Sequence, residues 1–153
     1  MTCQAATVAE LRSTIEGAYI LDEWDSGGKV FHPPQVEGRV VFVNGVIVVI
    51  LEDARQESKK TYSASFGSYH LSPDSFGYKF QSRAVATQTP DKVTLSRAIP
   101  WQGLREFTVK QDGDVVRLQY EGKAEFAFTA ERLTYSEGGK ILRVYHRAKD
   151  LNQ

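Results

Sequence analysis

Along most of the chain apolar and polar side chains alternate, and a turn signal interrupts the alternation at short intervals. In "REFTVKQ" (105–111) Phe107 and Val109 share a face opposite Glu106, Thr108 and Lys110. In "FGYKFQS" (76–82) Phe76, Tyr78 and Phe80 oppose Lys79 and Gln81, and in "AEFAFT" (124–129) Phe126 and Phe128 oppose Glu125. A period of two describes a pleated strand with one wet and one buried face. The interruptions are Asn44-Gly45, Ser72-Pro73-Asp74, Thr89-Pro90-Asp91, Asp112-Gly113-Asp114, Gly122 and Gly138-Gly139. Asn44-Gly45 is the strongest, because a type I′ hairpin turn needs positive φ at both central positions. The runs between them are rich in Val, Ile, Phe, Tyr and Thr, which suit a half-buried pleated surface. The spacing predicts strands over 18–25, 38–44, 46–52, 61–71, 75–86, 92–99, 105–111, 115–121, 124–134 and 140–147.

Two segments follow other rules. Thr7 and Glu10 have capping-box spacing, Val8, Leu11 and Ile15 form a short apolar stripe, and Gly17 stops it, so a helix is predicted over 7–16. So short a helix must dock on something to persist. "DSGGKVFHPPQVEG" (25–38) reads as one longer loop. Ten sequential hairpin-linked strands with one apolar face each are best satisfied by an all-β, up-and-down antiparallel β-barrel of eight to ten strands, which leaves no edges. A two-sheet sandwich is the competing arrangement. At 153 residues the chain is read as a single domain spanning 1–153, frayed over 1–6, with the barrel over 17–147.

The stretch "GRVVFVNGVIVVILED" (38–53) breaks the alternation with six consecutive apolar residues, Val46 to Leu51, too few to cross a membrane as a helix. In a barrel either Val46, Val48 and Ile50 or Ile47, Val49 and Leu51 must point outward. The available covers are the Val8/Leu11/Ile15 stripe or the same strand of a second subunit, which makes a homodimer through the Val46–Leu51 strand an expectation.

Composition mainly removes possibilities. Nineteen basic and nineteen acidic residues cancel, and no Lys/Arg cluster with interleaved aromatics occurs, so neither nucleic acid nor an anionic membrane is an expected partner. Cys3 is the single cysteine and cannot form an internal disulfide, which suggests a reducing compartment. The N-terminal stretch lacks the basic region and apolar run of a secretory signal, and the expected location is the cytoplasm. His32, His70 and His146 lie in different elements without metal-ligand spacing, and there is no phosphate loop, dinucleotide fingerprint or G-x-S-x-G elbow. No metal and no cofactor are expected.

Strand 61–71 carries the clearest hint of a site. Ser63, Ser65 and Gly67 alternate on one face and end at Tyr69; Tyr62, Ala64, Phe66, Ser68 and His70 occupy the other. If the small face points inward, the barrel holds a void there, which Tyr78, Phe80, Phe107, Phe126 and Phe128 would line. If it points outward, the same aromatics make a solid core. Alternation also places charge on inward faces: Arg105 with Phe107 and Val109, Arg97 with Val93 and Leu95, and Glu23 with Tyr19 and Leu21. A buried charge needs a partner. Arg105 would meet either a ligand carboxylate, phenolate or enolate, or Glu23. Trp101, in "IPWQGL", would close the barrel mouth or simply sit on a strand-end loop.

With these pieces assembled, the chain resembles the small bacterial lipocalin-like domains of the calycin group over residues 16–147. "EGAYIL" (16–21) looks like their opening Gly-x-Trp motif with Tyr19 in the tryptophan's place. "GRVVFVNGVIVVIL" looks like their second hairpin and "SFGSYHL" (65–71) like their Gly-x-Tyr strand. "REFTVKQDGDVVRL" (105–118) is similar to the hairpin that begins with an arginine, and "LRVYHR" (142–147) to the closing strand. The Thr-Asp-Tyr motif of secreted lipocalins is missing. The resemblance implies that Arg147 stacks on Tyr19 to close one barrel end, where the N-terminal helix would also sit. It further implies one of two functions. The barrel binds a small hydrophobic or aromatic molecule, through Ser65, Tyr69, Tyr78, Phe80, Trp101, Arg105, Phe107, Phe126 and Phe128. Alternatively it is a cofactor-independent cyclase or isomerase of a natural-product pathway that folds a reactive substrate. There Arg105, Tyr69 or Tyr78 would stabilise oxyanion charge and Glu23 or His70 would act as acid/base.

Overall fold

A computed structural model describes residues 4–99 and 101–149, so Cys3 lies outside the described residues. A helix α1 (Val8–Ile15) is followed by β1 (Gly17–Ser26), β2 (Lys29–Phe31), β3 (Val36–Val43), β4 (Val46–Gln56), β5 (Lys59–Leu71) and β6 (Ser75–Gln88). Then come β7 (Val93–Ser96), β8 (Arg105–Asp112), β9 (Val115–Tyr120), β10 (Ala124–Phe128), β11 (Arg132–Glu137) and β12 (Lys140–Arg147). Ten of these strands form a closed antiparallel barrel in the order β1-β3-β4-β5-β6-β8-β9-β10-β11-β12, and β12 pairs back onto β1. The short strands β2 and β7 flank it on β1 and β6. The all-β barrel with one N-terminal helix is therefore as expected.

Three local expectations are corrected. The loop expected over 25–38 contains a hairpin, because Gly27 and Gly28 take the positive φ of a two-residue turn that folds β2 back on β1. The strand expected over 124–134 is two strands. Thr129 breaks it by donating its N–H to the Arg132 carbonyl while its hydroxyl accepts from the Arg132 N–H, and β10 and β11 then pair with each other. The strand expected over 92–99 is only β7, pairs with β6 alone and is exposed along its length.

Helix α1 forms as its sequence predicts. The Thr7 side chain accepts from the Glu10 N–H, and the Glu10 carboxylate accepts from the Thr7 N–H at 2.8 Å. Its buried Leu11 and Ile15 cap one barrel end. Arg147, at the close of β12, joins that cap to the barrel. Its guanidinium lies 5.0 Å from the centre of the Tyr19 ring and donates to the Tyr19 hydroxyl and to the carbonyls of Thr14 and Glu16. The Tyr19 hydroxyl in turn donates to the Ile15 carbonyl at 2.7 Å. Inside this end the barrel is solid: Tyr19, Phe42, Tyr69, Phe76 and Phe128 are buried and meet mostly edge to face.

Because α1 covers the end, it does not cover the wall. Ile47, Val49 and Leu51 of β4 face inward, while Val46 and Ile50 stay 44% and 48% exposed. Phe66, beside Val48 on β5, is 51% exposed, so the outer β4–β5 face is apolar and uncovered in the single chain.

Two stability predictions follow from these contacts. Arg147→Met should cost about 3 kcal/mol in urea unfolding, since the stack and the charge-assisted bonds to the helix C-terminus go together. Gly67 packs so closely on β6 that an added Cβ would overlap the Lys79 backbone carbonyl, whereas one on Gly77 would meet only the imidazole of exposed His70. Gly67→Ala should therefore cost about 3 kcal/mol or more and Gly77→Ala about 1 kcal/mol, because side chains yield and a paired backbone does not.

Candidate functional site

The half of the barrel away from α1 is not filled. A cavity of about 360 Å³ lies there between β1, β3–β6, β8 and β10–β12, with Trp101 on its lining. The cause is visible in β5. Its small face, Ser63, Ser65 and Gly67, points inward, and Phe66 and His70 point out. No side chain from β5 reaches across at that level. The floor is the upper edge of the aromatic core, with Tyr78, Phe80 and Phe126 exposed to the space, and Trp101 closes over Tyr78 and Phe80 at ring separations of 5.4 and 5.3 Å.

Charged groups line the upper walls. Arg105, first residue of β8, stacks on Trp101 with 3.8 Å to the ring centre and lies 5.6 Å from that of Tyr120. On the far wall Arg143 of β12 stacks on Trp24 at 4.4 Å and lies 5.9 Å from Tyr135. Arg83 of β6 and Glu137 of β11 complete the charged lining. At the rim Arg55 covers Trp24 and Phe31 from outside and is held by Asp53 at 2.6 Å; this bond keeps the Asp53 carboxyl below its ordinary pKa.

Burial sets the state of the phenols. It pushes Tyr78 up to about 12 against the opposing charge and hydrogen bond of Arg105. Burial also raises Tyr145, with Arg143 opposing, and raises Tyr135, where the hydrogen bond donated to the Glu137 carboxylate adds to the effect. All three are neutral hydrogen-bond donors at ordinary pH.

The structure brings together Ser65, Tyr78, Phe80, Trp101, Arg105 and Phe126 on the cavity lining. Three of the expected aromatics lie elsewhere. Tyr69 sits at the closed end and donates its hydroxyl to Glu16, while Phe107 and Phe128 are buried in the solid half beneath the floor. Alternation gave these three the correct inward side but carries no information on their height in the barrel.

Glu23 and His70 stand on the outer wall. The bulge at Asp22 inserts one residue, so Leu21 opposes Tyr145 while Glu23 opposes Val144 and Trp24 opposes Arg143. That reverses the facing: Glu23 turns to solvent and Trp24 turns in. The expected Arg105–Glu23 pair therefore does not form. His70 alternates outward beside Tyr69 and lies 3.8 Å from Glu106. Arg97 lies on an exposed stretch after β7, with Val93 and Leu95 exposed as well.

Trp24, Arg83, Tyr135, Glu137 and Arg143 are cavity residues that the sequence reading missed. Arg143 shares its strand face with Tyr145 and Arg147, so the alternation in "RVYHR" could have found it. Trp24 was hidden by the bulge, and Arg83 by a second bulge at Gln81 opposite Phe66 and Gly67.

Fold and site together define a closed ten-stranded barrel with a cavity lined by aromatic rings and guanidinium groups. No family model, curated protein or solved structure matches the chain significantly.

The phenols make an alkaline prediction. Burial raises Tyr19, Tyr69, Tyr78, Tyr135 and Tyr145, with Tyr69 and Tyr78 at about 12. A raised phenol stabilises the fold while it is neutral. That contribution is complete below the unfolded value near pH 10 and is lost as pH rises through about 12. Phenolate absorbance should show these five un-ionised in folded protein at about pH 11, ionising together with the loss of circular dichroism.

Proposed function

We propose that the protein binds a small hydrophobic or aromatic molecule inside its barrel. The observation that carries this is the half-empty interior. One end is packed solid with aromatics, and the other leaves about 360 Å³ lined by Tyr78, Phe80, Trp101 and Phe126 with a few placed polar groups. That size and make-up fall at the lower end of small-molecule sites. The Arg147–Tyr19 closure is what a lipocalin-like barrel would show, and it supports a place for the chain in that broad class. The proposed location is the cytoplasm; among the described residues no helix is long and apolar enough to cross a membrane.

Binding is favoured over cyclisation or isomerisation by where the ionisable groups stand. Glu23 and His70 are on the outer wall, and Tyr69 is engaged at the closed end. Of the residues expected to act, the cavity retains Arg105 and Tyr78, which can hold an oxyanion; Glu137, the carboxylate on its lining, is engaged by the Tyr135 hydroxyl. A phenol pushed up to about 12 donates a hydrogen bond but is a poor proton acceptor at ordinary pH.

Native mass spectrometry of purified protein, followed by solvent extraction, should reveal a retained small molecule. The neutral dye N-phenyl-1-naphthylamine should also bind with enhanced fluorescence. Ser65→Phe, which projects a ring into the cavity, should reduce dye affinity about tenfold or more while leaving circular dichroism unchanged. If the wild-type protein carries nothing and ignores the dye, the reading fails.

A further inference from the structure

The cavity contains an arrangement that a purely apolar ligand would leave unused. Arg105 and Arg143 stand on strands separated by three strands one way around the barrel and five the other, so they face each other across it. Each sits in the same set of neighbours. Arg105 stacks on Trp101, lies near Tyr120 and sets its charge beside the phenol of Tyr78. Arg143 stacks on Trp24, lies near Tyr135 and sets its charge beside the phenol of Tyr145.

What both lack is a counter-charge. Among the described residues no carboxylate lies within ion-pair distance of Arg83, Arg105 or Arg143. Arg12, Arg55 and Arg117, by contrast, pair with Glu16, Asp53 and Glu125. Among the described residues the only acid on the lining is Glu137, which accepts from Tyr135, so Arg83, Arg105 and Arg143 leave these walls with two positive charges in excess. Arg143 Nε and Trp101 Nε1 are also buried with no hydrogen-bond partner. Every unmet need is for an acceptor or an anion. Stacking on indole holds a guanidinium in place but does not neutralise it or occupy its edge donors.

Building on the proposed binding role, we infer that the ligand is a doubly acidic, flat molecule: an aromatic body with two separated anionic groups, each a carboxylate or an acidic phenolate or enolate. One group meets Arg105 and the other Arg143. The rings of Tyr78, Phe80 and Phe126 form the apolar floor beneath the body.

The test uses three sets of probes of increasing length, built on benzene, naphthalene and biphenyl. Each comprises the hydrocarbon, its monocarboxylate and the dicarboxylate with its acids at opposite ends. Calorimetry on the unaltered protein should find at least one dicarboxylate about tenfold tighter than its monoacid, and that monoacid tighter than the hydrocarbon. Added salt should weaken the dicarboxylate most.

Trp24 and Trp101 are the only two tryptophans, so Trp101→Phe and Trp24→Phe leave one reporter at each guanidinium. Both reporters should respond to the same dicarboxylate. Arg105→Met and Arg143→Met should each reduce it to monoacid affinity, with little effect on the hydrocarbon. Arg105→Lys and Arg143→Lys, which keep the charge, serve if the methionine variants do not fold. Monoacids as tight as diacids in every set would overturn the second anion point. Hydrocarbons as tight as their acids would overturn the whole inference while leaving cavity binding intact. Failure of all probes, together with failure of the neutral dye, would remove the binding role itself.

Discussion

The structure depends on closure of the hydrogen-bonded ring, in which β1 pairs with β3 on one side and with β12 on the other. Once ten strands close, the number of inward positions and the distance across the barrel are set together, and side-chain volume decides whether the interior is core or cavity. This chain does both. Large rings at the helix end meet across the axis and exclude space. Small residues on β5 leave a gap further along that the opposite wall does not reach.

The helix end shows how a ring of this kind is stoppered. Barrel closure satisfies the strand groups laterally but leaves the open ends to water. Here α1 lays Leu11 and Ile15 over the aromatic core, and Arg147 bonds the helix's last carbonyls to the opening strand. One side chain thus links the first element, the first strand and the last strand, so the cap is held only when the ring has closed.

At the opposite end the polar groups are arranged differently. Arg55 at the rim and Arg117 on the outer wall are matched with carboxylates, whereas Arg105 and Arg143 in the cavity lie against indole faces and neutral phenols. A stacked guanidinium keeps its charge and its in-plane donors, so the stack fixes its position without using up its capacity for an acidic partner. The arginines are therefore organised before any ligand arrives, which reduces the ordering cost of binding.

Much of this was legible in the chain itself. The alternation at 76–82 and 105–111, the Asn44-Gly45 turn and the Thr7/Glu10 box are local signals, and local geometry obeyed them, because a strand's facing and a helix cap need only neighbouring residues. The small Ser63/Ser65/Gly67 face and the inward Arg105 were read by the same rule. What the rule could not see was parity after an inserted residue: the bulge at Asp22 expelled Glu23 and admitted Trp24, and the one at Gln81 brought in Arg83. Height along the barrel is equally hidden, so alternation alone puts Tyr69, Phe107 and Phe128 beside a pocket that they underlie. Bulges and stagger are set by how neighbouring strands must shift to close the ring, a condition on all ten strands at once. The sequence by itself determined which face of each regular strand is apolar; only the closed tertiary structure decided which of those side chains meet across the interior and which face an empty space.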